Sequence, residues 1–373
     1  MKDIVINALQ YKQNSSGIGV MIRELFSRYT KITERRCFVV LPHDGPAFPA
    51  SSATRQIRIP WTHGQNLRRI LFQTVFLGRR YGKNAVLLTT DSKTPFFLPR
   101  SCTLVPLITD LAVFRMPEVY RVSRAIWWKL QYRYLCRRAN LFLAISEFTR
   151  NEMVSVLGIP AEKIRVVPCA ASRQLAPVHD EDTLQALRAR YHLPEQFILF
   201  VGNTNPRKNL TRMIRAFDLA KKKGGITHHL VIAGEQGWKF DPTQVLRSVE
   251  YREAVHFVGF VPDQDMPALY SAAGLFSFPT LYEGFGIPVL EAQLCGTPVL
   301  TSSSSSLPEV GGDGALYVDP ESEDDICRSM LRILQDPQTA ANLVEKGFAN
   351  ACRFSWEDSA RLLHQIIEED VIK

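Results

Sequence analysis

Short apolar runs alternate with helical patterns along most of the chain. Continuous apolar runs are typical of parallel strands buried on both faces, and their alternation with helices indicates βαβ units. For the residues before Pro168 we therefore predict a doubly wound sheet. Its predicted helices lie near 17–30, 65–79, 119–139 and 147–157, and its predicted strands are Asp3–Leu9, Arg36–Leu41, Arg55–Ile59, Ala85–Thr90, Leu104–Ile108, Asn140–Ile145 and Ile164–Val167.

The pattern stops after Pro168 and then restarts. A stretch rich in Ala, Ser, Pro and Asp predicts a linker over 173–190. The chain is therefore predicted to hold two α/β domains, 1–172 and 191–355, each doubly wound and Rossmann-like, facing a central cleft. A C-terminal helix, 356–373, can pack back toward the first domain. The predicted strands of the second domain are Phe197–Gly202, Leu230–Ala233, Val255–Val258, Leu275–Pro279, Pro298–Thr301 and Ala315–Val318, with helices near 208–223, 264–273, 287–295, 322–335 and 355–369.

Composition agrees with this organisation and adds an electrostatic asymmetry. The 373 residues suit two globular domains, and the formal charge is +8. Residues 1–180 carry 27 Lys and Arg against 11 Asp and Glu (net +16), whereas the remainder carries 18 against 26 (net −8). The start of the chain lacks the pattern of a secretory signal, and no apolar run is long enough for a membrane span, so we expect a cytoplasmic protein. Seven scattered cysteines without a CxxC indicate reduced thiols.

Ligands on doubly wound sheets bind beyond the carboxyl ends of strands, so the loops that follow strands are the candidate sites. The first is 13–19, where Gly17 and Gly19 precede a helix but Ile22 stands where a dinucleotide motif needs a third glycine. This loop fits a phosphate or sugar contact and a plain tight turn equally well. The second runs from Gly202 to Asn209, where Arg207 and Lys208 form either a diphosphate clamp or a pair of solvated charges.

The third and most informative loop is Tyr282–Glu291. Gly284 and Gly286 let backbone amides approach a ligand at a helix N-terminus. Glu283 precedes that helix and Glu291 lies one turn inside it, so both carboxylates can accept hydrogen bonds from sugar hydroxyls. The alternative is a structural pair of capping carboxylates.

The Glu283 and Glu291 spacing stands within EGFGIPVLEAQLCGTPVL, and VGNTNPRKNLTRMIRAF and SGIGVMIREL stand upstream. Together these segments resemble retaining nucleotide-sugar glycosyltransferases of family 4, especially bacterial O-antigen and capsule mannosyltransferases. The likeness is most specific over 197–320 and is not found over 40–100. It implies the GT-B fold.

The resemblance implies a role for each matching residue. Arg207 and Lys208 would bind the donor diphosphate, Glu283 a hydroxyl of the transferred sugar, and Glu291 the ribose. Loop amides would hold sugar and phosphate, and Phe260 with Val261 would lie near the base. The implied donor-binding set is Gly17, Gly19, Gly202, Asn203, Arg207, Lys208, Phe260, Val261, Glu283, Gly284, Phe285, Gly286, Ile287, Leu290 and Glu291.

Two positions depart from the family pattern. Asn203 stands where many relatives have Arg or Lys, which leaves more of the phosphate contact to Arg207. Thr109 stands where relatives often have His, and Asp110 follows it. Asp110 is expected either to orient the acceptor, as a fourth catalytic residue beside Glu283, Arg207 and Lys208, or to cap a loop or helix.

The implied reaction is transfer of a hexose, best matched by mannose from GDP-mannose, to a lipid-linked or oligosaccharide acceptor with retained configuration. UDP- and dTDP-sugars remain alternatives, as do a nucleotide-sugar epimerase and a phosphorylase. No cofactor or enzymic nucleophile is expected, since the nucleotide-sugar is a substrate. The two DxD matches, Asp180 to Asp182 and Asp263 to Asp265, are read as linker and helix-start residues rather than metal ligands.

Two stretches of the basic half combine cations with large apolar residues: Trp61–Lys83 and Arg121–Arg138. They are either core-facing helices with solvated basic faces or a surface for an anionic membrane. The second possibility predicts peripheral attachment to the inner membrane. Nucleic acid is not an expected partner, because it would explain neither Glu283 and Glu291 nor the acidic second half.

Overall fold

The computed structural model shows two compact units, Met1–Cys169 with Ser355–Lys373, and Ala170–Phe354. The described residues are 2–11, 17–62, 66–90, 94–172, 174–237 and 239–372, without the side chains of Asn66, Leu67 and Arg69. The second unit is therefore inserted into the sequence of the first. Each unit is built on its own parallel sheet, which confirms the predicted pair of doubly wound domains.

The sheet of the first unit has the strand order β3-β2-β1-β4-β5-β6-β7. Every residue of the central strands β4 and β5 is buried, as expected for strands covered on both faces. The strands are β1 Asp3–Asn7, β2 Cys37–Leu41, β3 Arg55–Arg58, β4 Ala85–Thr90, β5 Thr103–Ile108, β6 Phe142–Ala144 and β7 Ile164–Val166.

Helices cover both sides of this sheet. Two long ones, 17–32 and 66–81, each contain a π turn, at Ile22–Phe26 and at Phe72–Phe76. The others in this unit are Ala112–Arg115, Val122–Arg138, Glu147–Leu157, Trp356–Ile366 with its π-turn extension Ile367–Val371, and the 3₁₀ turns Pro117–Val119 and Ala161–Lys163.

The C-terminal helix belongs to the first unit although it follows the second in sequence. Trp356 is buried at its start, and ion pairs attach it to the first unit along its length. Glu357 pairs with Arg28 at 2.8 Å and Glu368 with Arg35 at 2.6 Å. This helix therefore completes the core that the first 169 residues begin.

The sheet of the second unit has the order β10-β9-β8-β11-β12-β13. Its helix Leu210–Gly224 shows the expected amphipathic spacing, with Met213, Ile214, Phe217 and Ala220 buried. The strands are β8 Phe197–Val201, β9 His229–Ala233, β10 Val255–Gly259, β11 Leu275–Phe278, β12 Val299–Ser302 and β13 Leu316–Val318. The other helices are Glu181–Tyr191, Pro242–Leu246, Met266–Ser271, Ile287–Leu294, Leu307–Gly311, Glu323–Gln335 and Pro337–Ala351, with 3₁₀ turns at Pro206–Lys208, Arg252–Ala254 and Gly312–Gly314.

Several parts of the second unit differ from the sequence interpretation, and the short helices Pro242–Leu246 and Leu307–Gly311 were not predicted. The stretch predicted as a linker, 173–190, contains most of helix Glu181–Tyr191, whose Leu184 and Leu187 are buried in the core of the second unit. Asp180 caps this helix by accepting a hydrogen bond from the Thr183 N–H at 3.0 Å. Helix Pro337–Ala351 was not predicted; it begins with a cap at Asp336 and a proline in its first turn.

Candidate functional site

The candidate site of the second unit lies where β8 and β11 end side by side. The chain leaves β8 toward β9 on one side, while β11 lies on the other side of β8, so the order of strands reverses between them. In open α/β sheets a ligand binds in the crevice at such a switch point. The loops that follow these two strands carry Lys208 and Glu283, which places both predicted charges at this crevice.

Hydrogen bonds hold the two loops together. The Leu281 N–H donates to the carbonyl oxygen of Arg207 at 2.9 Å. Asn209 lies in the left-handed region (φ 60°), and its side-chain amide donates to the carbonyls of Pro279 at 2.9 Å and Pro320 at 2.6 Å. These contacts fix the backbone on either side of Lys208, so the position of its side chain is set by both loops.

Lys208 and Glu283 form a buried ion pair, with 2.8 Å between Lys208 Nζ and Glu283 Oε1. Lys208 is 9% exposed and Glu283 is 7% exposed, and the Lys208 ammonium lies 4.6 Å from the centre of the Phe278 ring. Burial alone would raise the pKa of Glu283, but the charges of Lys208 and Arg207 outweigh it, so the pKa lies below its ordinary value. Glu283 is therefore an ionised carboxylate whose oxygens can accept hydrogen bonds.

A glycine turn leads from Glu283 into helix Ile287–Leu294. Gly286 has φ 112°, and a Cβ atom there would come within 2.7 Å of Leu307 Cδ2, so glycine suits both the conformation and the space. Among the described residues, no side chain caps the N-terminus of this helix. Its first amides and its dipole can therefore face an anionic or hydroxyl-bearing ligand.

A run of serines after β12 supports the glycine turn, a role that was not predicted for these residues. Ser305 Oγ accepts a hydrogen bond from the Glu283 N–H at 3.1 Å. Ser306 Oγ is within hydrogen-bonding distance of two carbonyls, those of Glu283 at 3.0 Å and Phe285 at 2.7 Å. The signal in the sequence is a set of hydroxyls directly after a buried strand, but the loop they would bond lies about twenty residues upstream.

Glu291 has a different environment from Glu283. Burial raises its pKa to about 7, a hydrogen bond from Tyr270 partly opposes this, and the nearby charge of Asp263 adds to it. The Tyr270 hydroxyl donates to Glu291 Oε2 at 2.8 Å. Glu291 can therefore change its charge near neutral pH, whereas Glu283 stays ionised.

The other predicted site residues of the second unit differ in how far their side chains are exposed to solvent. Phe260 is 42% exposed, whereas Val261 is buried. The Asn203 side chain is exposed and its Oδ1 accepts a hydrogen bond from Asn205 at 2.7 Å. The side chains of Phe285 and Leu290 are buried, Phe285 in an edge contact with Phe354, so they pack beneath the turn.

Three glycines, Gly202, Gly234 and Gly259, lie at the carboxyl ends of β8, β9 and β10 and bring the following loops close together. Gly202 donates its N–H to the Ala233 carbonyl at 2.8 Å, and Gly234 donates to the Gly259 carbonyl at 2.7 Å. A Cβ atom on Gly234 would lie 2.1 Å from the carbonyl oxygen of Gly202. The loop that leads to Lys208 therefore rests directly on the Gly234 backbone.

The predicted residues of the first unit follow β1 and β5. Asp110 accepts a hydrogen bond from the Ala112 N–H at 3.0 Å, a local contact in the loop between β5 and helix Ala112–Arg115, whose N-cap is Leu111. Gly17 is exposed and Gly19 is buried, both in the first turn of helix 17–32. Residues 13–16 of the same loop lie outside the described residues.

Two of the acidic DxD residues, Asp180 and Asp265, have partners within the second unit. Asp180 caps a helix, and Asp265 forms an ion pair with Arg190 at 2.8 Å and accepts a hydrogen bond from Tyr191 at 2.6 Å. Across the described residues, His, Cys, Asp and Glu do not gather in groups of three that could hold a metal ion.

Comparison with known proteins agrees with the geometry of the second unit. Residues 187–349 match the family described as Glycosyl transferases group 1, and residues 16–174 match Glycosyltransferase Family 4. The chain is 35% identical to O-antigen chain mannosyltransferase B of Escherichia coli over 266 residues, which cover 70% of each chain.

Two solved structures share the fold over nearly the whole length. Sucrose-phosphate synthase from Thermosynechococcus elongatus has a TM-score of 0.77 at 19% identity and covers 99% of both chains. Anabaena HepE, in complex with UDP-glucose, has a TM-score of 0.76 at 17% identity and covers 99% of this chain and 100% of its own. The fold and the loops thus define a GT-B glycosyltransferase. Within that class, the chain belongs to glycosyltransferase group 1 and family 4, as the motifs indicated.

Proposed function

We propose that this glycosyltransferase transfers mannose from GDP-mannose to a lipid-linked or oligosaccharide acceptor, with retention of configuration, in the synthesis of a bacterial surface polysaccharide. The observation that carries the proposal is the buried pair of Lys208 and Glu283 beside the glycine turn, which presents a cation and an ionised carboxylate together. The name of the similar Escherichia coli mannosyltransferase supports the choice of sugar and of O-antigen.

Positive charge at the crevice suits a departing nucleoside diphosphate. As the glycosidic bond breaks, negative charge grows on the phosphate oxygen, and Arg207, Lys208 and the amides of helix Ile287–Leu294 would stabilise it. Glu283 would accept a hydrogen bond from a hydroxyl of the sugar, and Glu291 would hold the ribose. With Glu283 bound to Lys208, its oxygen serves as an acceptor rather than a nucleophile, and the departing phosphate would help to deprotonate the acceptor hydroxyl.

The residues of the first unit would serve the acceptor side. Asp110 would orient the attacking hydroxyl, and Gly17 with Gly19 would let the backbone approach the phosphate. The enzyme would work in the cytoplasm, attached to the inner face of the membrane. Across the described residues, no helix has both the length and the apolar character needed to cross a bilayer.

The donor can be tested by thermal shift. A ligand at about a hundred times its Kd stabilises the folded state by about 2.7 kcal/mol, which raises Tm by roughly 5–10 °C for a domain of this size. We expect GDP-mannose to give the largest shift among GDP-mannose, UDP-glucose and dTDP-rhamnose at equal concentration. A larger shift with UDP-glucose or dTDP-rhamnose would identify that nucleotide-sugar as the donor in place of GDP-mannose. No shift with any of the three would contradict the proposed transferase site.

The pKa of Glu291 predicts a pH dependence of donor binding. If the ionised carboxylate accepts both ribose hydroxyls, the Kd for the donor should rise by up to about tenfold per pH unit as the pH falls below about 7. Calorimetric titration from pH 5.5 to 8.5 measures this, because the diphosphate of a nucleotide-sugar keeps its charge across that range.

Two variants test whether Glu291 causes the pH dependence of donor binding. Glu291→Gln should bind weakly and without this slope, while Tyr270→Phe removes a hydrogen bond that lowers the pKa and should move the midpoint upward. The effect of pH on folding stability has the opposite sign to its effect on donor binding. A folded-state pKa above the ordinary 4.5 disfavours folding as the pH rises from 4.5 to about 7, so Glu291→Gln should gain stability over wild type in that interval. An unchanged slope in Glu291→Gln would remove Glu291 from the donor site.

A further inference from the structure

Large apolar side chains are exposed together on one part of the first unit. They belong to helix 66–81, to the loop after β4 and to helix Val122–Arg138. A contiguous exposed apolar patch on a folded protein marks an interaction surface more often than a single exposed residue does. We call this set the apolar patch; its main members are Leu71, Phe76, Phe97, Ile126, Trp127 and Leu130, which are between 40% and 55% exposed.

Ring contacts and a backbone hydrogen bond link the parts of the patch to one another. Phe96 lies between the two helices: its ring meets Trp127 at 5.7 Å between centres, and its N–H donates to the Thr74 carbonyl at 2.8 Å. The neighbouring Phe97 ring lies under the guanidinium of Arg79, 4.6 Å from its centre. The loop therefore connects the exposed faces of the two helices.

The arrangement on helix Val122–Arg138 separates an inner face from an outer one. Ala125, Tyr132 and Leu135 are buried against the unit, as the core-facing interpretation expects. Val122, Ile126 and Leu130, spaced by four residues, form a second apolar row that is exposed. One helix thus has two apolar faces, and packing within the unit accounts for only one of them.

Basic residues border the exposed row, and the sequences of both helices lack Asp and Glu. Lys129, Arg133 and Arg137 form an exposed row on helix Val122–Arg138, and Arg79 and Arg80 are exposed on helix 66–81. Apolar side chains that can enter the headgroup region, surrounded by cations, complement a bilayer of anionic lipid. A protein partner would also use the apolar row, but it would not by itself explain cations without any acidic residue.

We infer that the apolar patch and its basic border dock the first unit on an anionic lipid bilayer. This inference rests on the proposed function, because a lipid-linked acceptor is presented at a membrane. It adds to that function the surface of the protein that binds the membrane and the kind of lipid that this surface binds. The side chains of Leu67 and Arg69, part of the predicted basic stretch, lie outside the described residues and carry none of the argument.

Co-sedimentation of the full chain with vesicles tests the docking surface. Wild type should sediment with vesicles of phosphatidylcholine and phosphatidylglycerol in equal parts, and much less with phosphatidylcholine alone or at high salt. Arg133→Glu with Arg137→Glu should lower the partition coefficient by about tenfold or more. The same charge change in the second unit, Arg247→Glu with Lys346→Glu, is the matched control and should leave it unchanged.

A second variant tests the apolar contribution. Ile126→Ser with Leu130→Ser changes two exposed side chains and should weaken binding to the anionic vesicles without altering the melting curve. Wild type that stays in the supernatant, or charge and control variants that sediment alike, would overturn the inference. A patch variant that changes the oligomeric state but not vesicle binding would instead indicate a protein partner and would also overturn it.

Donor binding separates this inference from the proposed function. The docking variants should keep the thermal shift given by the nucleotide-sugar, because their side chains lie in the first unit, far in sequence from the Lys208 and Glu283 loops. Vesicle binding without any donor shift would support the surface and contradict the proposed chemistry. A donor shift without vesicle binding would support the proposed chemistry and contradict the docking surface.

Discussion

Lys208→Ala is expected to lower kcat by about 10²–10³ and to destabilise the second unit by about 3–5 kcal/mol. The loss of rate reflects the missing cation at the leaving phosphate. The loss of stability has another cause: the Glu283 carboxylate would remain buried without its partner at 2.8 Å. Transfer assays with GDP-mannose and urea denaturation measure the two effects. The stability deficit should narrow at low pH, where protonation of Glu283 removes the unpaired charge.

A double variant separates the two causes. Lys208→Met with Glu283→Gln removes both buried charges, and replacing a buried ion pair by uncharged groups of similar size is often close to neutral for stability. We therefore expect near wild-type unfolding but no recovery of transfer. Recovery of activity along with stability would mean that the pair is structural only. If Lys208→Ala alone keeps a kcat within about tenfold of wild type, residues other than Lys208 contact the leaving phosphate.

Gly234→Ala is expected to destabilise the second unit by about 3 kcal/mol or more, and to lower Tm by roughly 6–12 °C. Gly234 has φ 146°, which L side chains rarely adopt, and the new Cβ would lie 2.1 Å from the Gly202 carbonyl oxygen. The obstacle is backbone rather than a flexible side chain, so the Gly202 loop must move. Because that loop leads to Lys208, activity should fall with stability, and differential scanning calorimetry with a transfer assay records both.

Gly225→Ala is the matched control for this variant. Gly225 also has a positive φ, 59°, but a Cβ atom there would have nothing within 4 Å. Its cost should be limited to about 1–2 kcal/mol of backbone strain, with activity unchanged. If the two variants lose equal stability, the contact between Gly234 and Gly202 does not constrain the loop.

Most strands could be predicted because burial on both faces leaves a continuous apolar run, and most helices because their apolar residues recur at helical spacing. The prediction of Ala85–Thr90 matches β4 at both ends, and that of 147–157 matches helix Glu147–Leu157. Helix Glu181–Tyr191 was missed because its polar, Ala-rich sequence has only Leu184 and Leu187 to mark a buried face. An acidic first turn after Asp180 was the available signal.

The site was predicted less completely than the fold. Loops after strands identified Lys208 and Glu283 separately, but a pair 75 residues apart is visible only once β8 and β11 are neighbours. The support from Ser305 and Ser306 could not be inferred for the same reason. The different ionisation of Glu283 and Glu291 depends on burial and partners, which the shared E-x7-E spacing does not reveal.

The insertion of the second unit into the first has a consequence for synthesis on the ribosome. Residues 170–354 can complete their sheet as soon as they emerge, whereas the first 169 residues still lack the helix that carries Trp356. Until that helix arrives, Arg28 and Arg35 have no Glu357 or Glu368 to pair with, and the apolar surface that Trp356 covers is open to water. The part of the chain made first is therefore the part that finishes folding last, and it is the half that holds both the apolar patch and an unfinished core while translation continues.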